Sequence, residues 1–336
     1  MHLPSVSTII PTYNRAHLVT RAVESALLET EEGDEIIVVD DGSTDRTEEA
    51  LAPYLGRIQY FRLAHQGCGK TRNFGIGKAR NPLIAFLDSD DEWMRGKLRL
   101  QRSLMNARPE VVFCFSDFAV RYRSGEIDRR YLFQWHRDSR PWEEILGQKL
   151  PLSALTGDSG SGAGVTVFVG NLYLSEMSAN YVFTSTLMVR KDLAGPALRF
   201  SDDLPIYEDW ECYGKLAGAG PAAYLDTETA WQVAHGGTRL TDSAIAVSAD
   251  ARIKVLERVW GSDPSFLASN RAAYDALIRE QRQAKVRSLL AQGRAPEARE
   301  ELRRLDGATL YHLLAALPAP LVKWLAALRR SVFRRT

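Results

Sequence analysis

Short runs rich in apolar and β-branched residues alternate, along the first third of the chain, with segments whose apolar residues recur at helical spacing. The strand-like runs are 6–10, 35–39, 58–63 and 83–87. The helical segments are 18–27, 43–54, 71–79 and 97–105. Because the strands are apolar along their whole length, both faces of the sheet should be covered. The pattern therefore predicts a parallel sheet flanked by helices.

An acidic cluster, Asp88-Ser89-Asp90-Asp91, directly follows the fourth of these strands. In open α/β sheets, ligands bind beyond the carboxyl ends of the strands. Neighbouring carboxylates repel one another, and hard divalent cations, which favour oxygen ligands, relieve that repulsion. The cluster therefore predicts a Mg²⁺ or Mn²⁺ site, although the motif by itself leaves open a solvated acidic turn.

Composition narrows the class of protein. The chain has 336 residues, 45% hydrophobic and 25% charged, with a net charge of +1. This predicts a soluble protein of two domains, or one large α/β domain with an appendage. The charge excludes a nucleic-acid binder that relies on overall basicity. The three cysteines are scattered, which argues against a disulfide framework or a zinc site. With no signal-peptide pattern and no long uncharged apolar stretch, we expect a cytoplasmic protein.

Five segments together resemble the family 2 glycosyltransferases, which are inverting enzymes of the GT-A fold. The segments are Ile10-Pro11-Thr12-Tyr13-Asn14-Arg15, Val39-Asp40-Asp41-Gly42-Ser43-Thr44-Asp45, Thr71-Arg72-Asn73-x-Gly75, Phe86-Leu87-Asp88-Ser89-Asp90-Asp91 and Tyr207-Glu208-Asp209-Trp210-Glu211. The resemblance implies a mostly parallel central sheet flanked by helices over residues 1–240. Its donor half is expected over 1–110 and its acceptor half over 111–240, followed by a helical region over 245–336.

The resemblance implies a nucleotide site at the ends of the first strands. Pro11, Thr12 and Tyr13 are expected to pack against the base and ribose, and Asp41 to accept a hydrogen bond from one of them. Arg72 matches a basic residue near the diphosphate. Two interpretations without a ligand stay open, in which Tyr13 packs on the core and Arg72 is an exposed helix charge.

The same resemblance implies roles for the acidic cluster. Asp88 is expected to bind the ribose or a metal ion, Asp90 to be a metal ligand, and Asp91 to hold the loop or contact the donor sugar. His235 is expected to complete the shell of Mn²⁺ or Mg²⁺, or to touch phosphate, and the glycines after it predict a mobile lid. The chain departs from the family at Gln232, because an arginine often precedes this histidine.

The catalytic base of the family falls on Asp209. An acid in the first turn of a helix is ordinary capping, and that interpretation stays open for Glu208, which otherwise would contact the donor sugar or its loop. We expect the helix N-terminus to keep Asp209 ionised at neutral pH, as a base must be.

The second half of the chain is less informative about chemistry. Trp135, His136 and Trp142 could stack on sugar rings or simply build a core. From about Ile245 the spacing predicts helices, including a hairpin over 270–305 and two short helices over 310–317 and 321–333. The helix over 321–333 is basic and amphipathic, which favours binding to an anionic membrane surface, with packing on the protein as the alternative.

These observations predict a metal-dependent inverting glycosyltransferase. It would move a sugar from a nucleotide-diphosphate donor, a UDP-sugar first of all, to a saccharide or lipid-linked acceptor in cell-envelope polysaccharide synthesis. The location would be cytoplasmic and peripheral at the inner face of the cell membrane. One alternative is a sugar-nucleotide nucleotidyltransferase, a class that has a glycine-rich loop after the first strand, where this chain has Pro11-Thr12-Tyr13-Asn14. The other is a non-enzymatic membrane-associated scaffold with a vestigial nucleotide-binding fold.

Overall fold

The chain forms two compact units in a computed structural model that describes residues 3–157, 162, 164–236 and 245–305. The first unit is Met1–Asp203 with Glu208–Gly237, and the second is Leu204–Tyr207 with Thr238–Thr336. The predicted helices over 310–317 and 321–333, and the predicted lid residues Gly237 and Thr238, lie outside the described residues.

A single mixed sheet forms the centre of the first unit. Its strands are β1 Val6–Thr12, β2 Glu35–Asp40, β3 Gln59–Arg62, β4 Leu83–Phe86, β5 Asp91–Trp93, β6 Phe113–Arg121, β7 Ile127–Asp128, β8 Gly147–Pro151, β9 Thr166–Gly170, β10 Met188–Arg190 and β11 Ala222–Val233. The spatial order is β3-β2-β1-β4-β10-β6-β11-β9-β8, with β5 paired to β11 and β7 to β6. The first four strands are parallel. This confirms the predicted fold class, although β10 enters the sheet antiparallel to both of its neighbours.

Helices flank the sheet, and the first four overlap the helical segments predicted over 18–27, 43–54, 71–79 and 97–105. They are α1 Val19–Leu27, α2 Thr47–Leu51, α3 Cys68–Lys78, α4 Lys97–Ala107, α5 Leu132–His136, α6 Trp142–Ile145, α7 Leu152–Thr156, α8 Tyr173–Ser178, α9 Lys191–Ala194 and α10 Glu208–Ala219. The buried face of α1 is apolar at helical spacing, with Val19, Ala22, Val23 and Ala26 inside the core. Strands β1, β2 and β4 are fully buried, as expected for a sheet covered on both faces.

The sheet register brings three strand ends together. Thr12 at the end of β1 pairs with Asp40 at the end of β2, and Ile9 pairs with Phe86 at the end of β4. The loops that follow these strands therefore leave the sheet at one edge. Strand order reverses at β1, which has β2 on one side and β4 on the other, and such a switch point is where open α/β sheets bind ligands.

Helices make up most of the described residues of the second unit. It contains α11 Ile245–Val259, α12 Pro264–Ala291 and α13 Ala295–Leu302. Asp263 caps α12 by accepting the backbone N–H of Phe266 at 3.0 Å. The turn at 292–294 joins α12 to α13, which confirms the predicted hairpin. Among the described residues, no helix combines the length and the apolar character needed to cross a bilayer.

Candidate functional site

A stacked aromatic pair lies where the loops after β1 and β3 meet. The rings of Tyr13 and His65 have centroids 4.2 Å apart and planes inclined by 20°, and Tyr13 is 40% exposed. Asp41 holds this arrangement, since its Oδ1 accepts the N–H of Gln66 at 2.8 Å and its Oδ2 that of Gly67 at 2.9 Å. Nδ1 of His65 lies 2.9 Å from the same Oδ2. The pair offers a flat surface for a nucleobase, while Asp41 is engaged in supporting the loop.

The residues predicted beside Tyr13 do not share its exposure. Pro11 and Thr12 are buried because β1 continues through both of them. The chain then turns at Asn14, whose backbone has a left-handed φ of 52°. The Asn14 side chain stabilises this turn by accepting the N–H of Thr44 at 2.7 Å. Of the three residues predicted to line the nucleotide, the structure therefore places only Tyr13 at the surface.

A buried arginine joins two acidic residues from distant parts of the chain. Nη2 of Arg72 donates to Oδ1 of Asp88 at 2.7 Å, and its Nη1 donates to Oε1 of Glu208 at 2.9 Å. Although burial alone would lower the pKa of Arg72, these two carboxylates raise it above its usual range. Removing Arg72 would leave both carboxylates without their shared counter-charge. The interpretation of Arg72 as an exposed helix charge is therefore wrong.

The helix that carries this arginine is seated by its neighbours. Asn73 clamps the chain ahead of α10, since its amide accepts the N–H of Phe200 at 2.9 Å and donates to the Phe200 carbonyl at 2.8 Å. A Cβ on Gly69 would lie 2.1 Å from the carbonyl oxygen of Ser201, and one on Gly75 would lie 2.6 Å from Ile9. Only glycine allows these approaches, which bring α3 close enough to β1 and to the start of α10 to form the arginine bridge.

One serine holds the acidic loop in place. Oγ of Ser185 donates to Oδ2 of Asp91 at 2.5 Å and accepts the N–H of Asp88 at 3.1 Å. The carbonyl of Ser185 accepts the indole N–H of Trp93 at 2.7 Å. Burial, together with the neighbouring Asp90 and Asp88, raises the pKa of Asp91 well above its usual range. Asp91 therefore supports the loop from inside the protein, which agrees with the first of its two predicted roles.

A histidine and an arginine converge on one oxygen of Asp90. Nε2 of His235 lies 2.8 Å from Oδ2, and Nη2 of Arg15 lies 3.6 Å from the same atom. His235 reaches this position because β11 pairs with β5, so that Gln232 lies beside Asp91. The end of β11 and the acidic loop therefore form one site from residues that are 145 positions apart.

The predicted metal set is only partly assembled. Asp90 and His235 are in contact, whereas Asp88 is drawn to Arg72 instead. Within residues 3–157, 162, 164–236 and 245–305, no three His, Cys, Asp or Glu side chains are grouped closely enough to hold a metal ion. Oδ1 of Asp88 pairs with Arg72 at 2.7 Å, and the sharing of a metal site by Asp88, Asp90 and His235 stays a prediction.

Asp209 lies at the start of α10, next to the arginine bridge. Burial and the carboxylate of Glu208 raise the pKa of Asp209 to about 7, against the opposing effects of Arg72 and the Trp210 backbone N–H. The expectation that the helix end keeps this group fully ionised at neutral pH is wrong, because desolvation outweighs it. A carboxyl group that titrates near neutrality can still accept and return a proton at the pH of a cell.

The aromatic residues of the acceptor half build a core. Trp142 stacks on Tyr224 with ring centroids 3.9 Å apart, and Trp135 packs against Phe118 at 5.9 Å. His136 is buried, which lowers its pKa to about 4. Of the two interpretations left open by the sequence, core packing is the one that these contacts support.

Three residues of the site escaped the sequence reasoning. Arg15 belongs to one of the five recognised segments but was assigned no role there. Its positive charge, two positions after Tyr13, was a signal for a ligand contact. His65 followed a predicted strand in a loop that offered no helical or strand pattern. Ser185 gave no signal, because it contacts Asp91 across 94 positions of sequence and sits in a short 3₁₀ turn, Thr184–Thr186.

Comparison with known sequences supports a glycosyltransferase. Residues 7–167 match the family model described as "Glycosyl transferase family 2". An "Uncharacterized glycosyltransferase" of Rickettsia felis is 41% identical over 118 residues, which are 34% of this chain and 19% of that protein. The succinoglycan biosynthesis protein ExoO of Rhizobium meliloti is 26% identical over 85% of this chain and 74% of its own length. The chain thus spans only about a fifth of the length of the Rickettsia felis relative.

Solved structures share the fold. TarS 1–349 of S. aureus, in complex with UDP-GlcNAc, has a TM-score of 0.59 at 17% identity, over 82% of this chain and 71% of that one. The mannosyltransferase PcManGT of Pyrobaculum calidifontis, in complex with GDP-Man and Mn²⁺, has a TM-score of 0.53 at 15% identity, over 97% and 85%. At these identities the likeness establishes the GT-A architecture.

Proposed function

We propose that this chain is an inverting, metal-dependent glycosyltransferase that transfers a sugar from a nucleotide-diphosphate donor to a saccharide or lipid-linked acceptor. The observation that carries the proposal is the buried bridge from Asp88 through Arg72 to Glu208. It fixes the acidic loop, where a donor would bind, next to Asp209, the only residue to which we assign proton transfer. A nucleotidyltransferase or a vestigial scaffold would give no reason for a carboxyl group with a pKa near 7 at this place.

The residues around Asp90 fit a divalent cation. Asp90 offers a carboxylate oxygen and His235 a ring nitrogen, 2.8 Å apart. Mg²⁺ and Mn²⁺ are commonly held by one or two protein ligands together with substrate phosphates. Two protein ligands are therefore enough where the phosphates of the sugar donor complete the site. When bound, the ion supplies positive charge to the departing diphosphate. His235 would serve as a ligand through its neutral imidazole.

Asp209 is the group that we assign to proton removal. Its carboxylate would take the proton of the acceptor hydroxyl while that oxygen attacks the anomeric carbon from the face opposite the diphosphate. The product then has the inverted configuration. Glu208 and Arg72 set the charge around this base without contacting the acceptor. The raised pKa places the base close to the pH at which it works, where general-base catalysis is most effective.

The donor class follows from the surface at Tyr13 and from the known complexes. The stacked pair of Tyr13 and His65 suits the flat face of a nucleobase. Among the structures of the same fold, TarS was solved with UDP-GlcNAc and PcManGT with GDP-Man and Mn²⁺. We propose a UDP-sugar as the first donor to test. The name of ExoO supports a role in polysaccharide synthesis.

The test is release of nucleoside diphosphate from a panel of UDP-, GDP- and dTDP-sugars, with Mn²⁺ or with excess chelator. With the active donor and an acceptor identified from a saccharide panel, NMR of the product reports the anomeric configuration. Inversion at the anomeric carbon, and loss of turnover in chelator, are the expected results. A product that retains the donor's configuration would refute the mechanism.

A matched pair of variants isolates the base. Asp209→Asn keeps the size and capping ability of the side chain but cannot take a proton, and should lower turnover by about 10²–10⁴-fold. Glu211→Gln is the control, because Glu211 lies in the same helical turn and instead pairs with Lys215 at 2.5 Å. Equal losses in both variants would show that Asp209 acts through the fold rather than the reaction.

We also propose that the chain attaches peripherally to an anionic membrane through residues 321–333. The support is the sequence alone, namely the basic residues and the apolar stripe of that segment. Removing residues 319–336 should abolish sedimentation with anionic vesicles while leaving nucleotide binding intact. Unchanged sedimentation of the shortened chain would exclude this attachment.

A further inference from the structure

The diphosphate of the proposed donor needs cationic partners that Arg72 cannot supply. The resemblance places Arg72 near the diphosphate, yet its side chain is only 5% exposed and both terminal nitrogens already donate to carboxylates. Freeing it would leave the buried Glu208 and the partly exposed Asp88 without their counter-charge. The phosphate contacts must therefore come from other side chains at this edge of the sheet.

Arg15 is the first candidate, since it already lies on the acidic loop. Its Nη2 is 3.6 Å from Oδ2 of Asp90, the oxygen that His235 also contacts. The arginine follows Tyr13 by two positions, so it connects the proposed base surface with the proposed metal ligand. A metal ion on Asp90 would compete for that oxygen, and the guanidinium would be left beside the phosphates that the ion also binds.

Arg123 is the second candidate, from the turn between β6 and β7. The turn is closed by the N–H of Gly125, which donates to the carbonyl of Tyr122 at 3.0 Å. A Cβ on Gly236 would lie 2.8 Å from Nη1 of Arg123, so the guanidinium rests against the residue that follows His235. Among the described residues, no carboxylate pairs with Arg123, which is exposed.

The surrounding charges favour this use of the two arginines. The acidic loop has three aspartates within four residues, namely Asp88, Asp90 and Asp91. A diphosphate would add further negative charge there. At Gln232 the chain lacks the cation that the family often carries. Guanidinium groups bind phosphate oxygens through two parallel hydrogen bonds, which a neutral glutamine cannot replace.

We propose that Arg15 and Arg123 bind the diphosphate of the donor, in place of Arg72 and of the missing arginine at Gln232. The inference rests on the proposed function, because it presumes a nucleotide-diphosphate donor. In this arrangement Arg15 passes from Asp90 to the phosphates when donor and metal bind. Arg123 adds a contact from the side of His235 and Gly236.

The experiment is calorimetric titration of the full chain with UDP and with UMP, in the presence of Mn²⁺. Arg15→Gln and Arg123→Gln should each weaken UDP binding by roughly ten- to a hundredfold, the usual effect of losing a charged hydrogen bond. UMP, which keeps only the first phosphate, should lose less affinity than UDP in both variants. The lysine variants at both positions should recover part of the UDP affinity, because they keep the charge.

Arg21→Gln and Arg129→Gln are the matched controls. Both arginines are partly exposed, and they pair with Glu92 and Glu228. UDP affinity should be unchanged in the controls. Equally weakened UDP binding in the controls would show that only the overall charge matters, which would overturn the assignment. Wild-type UDP affinity in Arg15→Gln or Arg123→Gln would overturn it as well. If the wild type binds none of UDP, GDP and dTDP, the proposed function itself fails.

Discussion

The charge next to the proposed base should be visible in a pH profile. Asp209 has its pKa raised to about 7, first by burial and then by the Glu208 carboxylate. Because the base must be ionised, kcat/KM should rise with pH and level off above about pH 7. At pH 6 about a tenth of the molecules would carry the ionised base, since one pKa unit corresponds to a factor of ten.

Glu208→Gln removes that neighbouring charge and keeps an oxygen for Arg72. A nearby like charge raises a pKa by one or more units, so the variant should shift the acid limb downward by about one unit. About half of the base is then ionised at pH 6, which makes kcat/KM there about fivefold larger relative to the plateau. Arg72 stays in place beside Asp88, and its positive charge continues to lower the pKa of Asp209.

The assay is donor turnover between pH 5 and 9, with the variant Glu211→Gln as control. That variant removes a buried carboxylate from the same turn of α10 and should leave the limb where it is, since Glu211 pairs with Lys215. An acid limb below pH 5 in the wild type would refute the structural reasoning. An unmoved limb in Glu208→Gln would refute the assigned cause.

Further predictions concern the metal, the base surface and the loop. Asp90→Asn should abolish Mn²⁺-dependent tightening of UDP binding, measured by calorimetry with and without chelator, and an unchanged metal effect would exclude Asp90 as a ligand. Tyr13→Ala should weaken UDP and UMP alike by roughly one to three kcal/mol, as lost base stacking does, and loss of UDP binding alone would contradict the stacking role. Ser185→Ala should raise the KM for the donor. The control is Thr186→Val, which removes a comparable buried hydrogen bond to Phe183 and should lower stability by a similar amount. Equal KM values in the two variants would exclude a positioning role for Ser185.

Stability gives a second test of Asp209. An acid whose pKa is raised in the folded state holds its proton more tightly there than in the unfolded chain. Stability therefore falls as the pH rises from about 4 towards 7 and this proton is lost. Asparagine mimics the protonated form. Asp209→Asn should therefore melt at the same temperature as the wild type or higher at pH 8, and a clearly lower melting temperature would indicate a structural acid.

The donor half was predictable because its signals are local. Strands β1, β2 and β4 are continuous apolar runs, and the acidic loop follows directly after β4. The glycines of α3 also lay in a recognisable segment, although only the structure shows that Gly69 and Gly75 permit close packing. Where residue type and short spacing determine the element, the sequence pattern was sufficient.

The partners of these residues were not predictable, since they come from distant segments. Nothing near Asp88 in sequence indicates that Arg72 neutralises it, or that Ser185 holds its backbone. The entry of β10 between β4 and β6 is equally non-local, because a three-residue strand carries almost no periodicity. Burial, which raises the pKa of Asp209, likewise depends on the packing of the whole first unit.

The arginine bridge has a consequence for how the protein is made. Translation delivers Arg72 and Asp88 early, whereas Glu208 leaves the ribosome 136 residues after Arg72. Until then Nη1 of Arg72 lacks its acceptor, and burying a donor without an acceptor is unfavourable. The half of the first unit that contains β1 to β4 should therefore stay loosely closed during synthesis and tighten late, when α10 docks. Contacts of such long sequence separation are also slow to form, so this step is expected to govern the rate of folding.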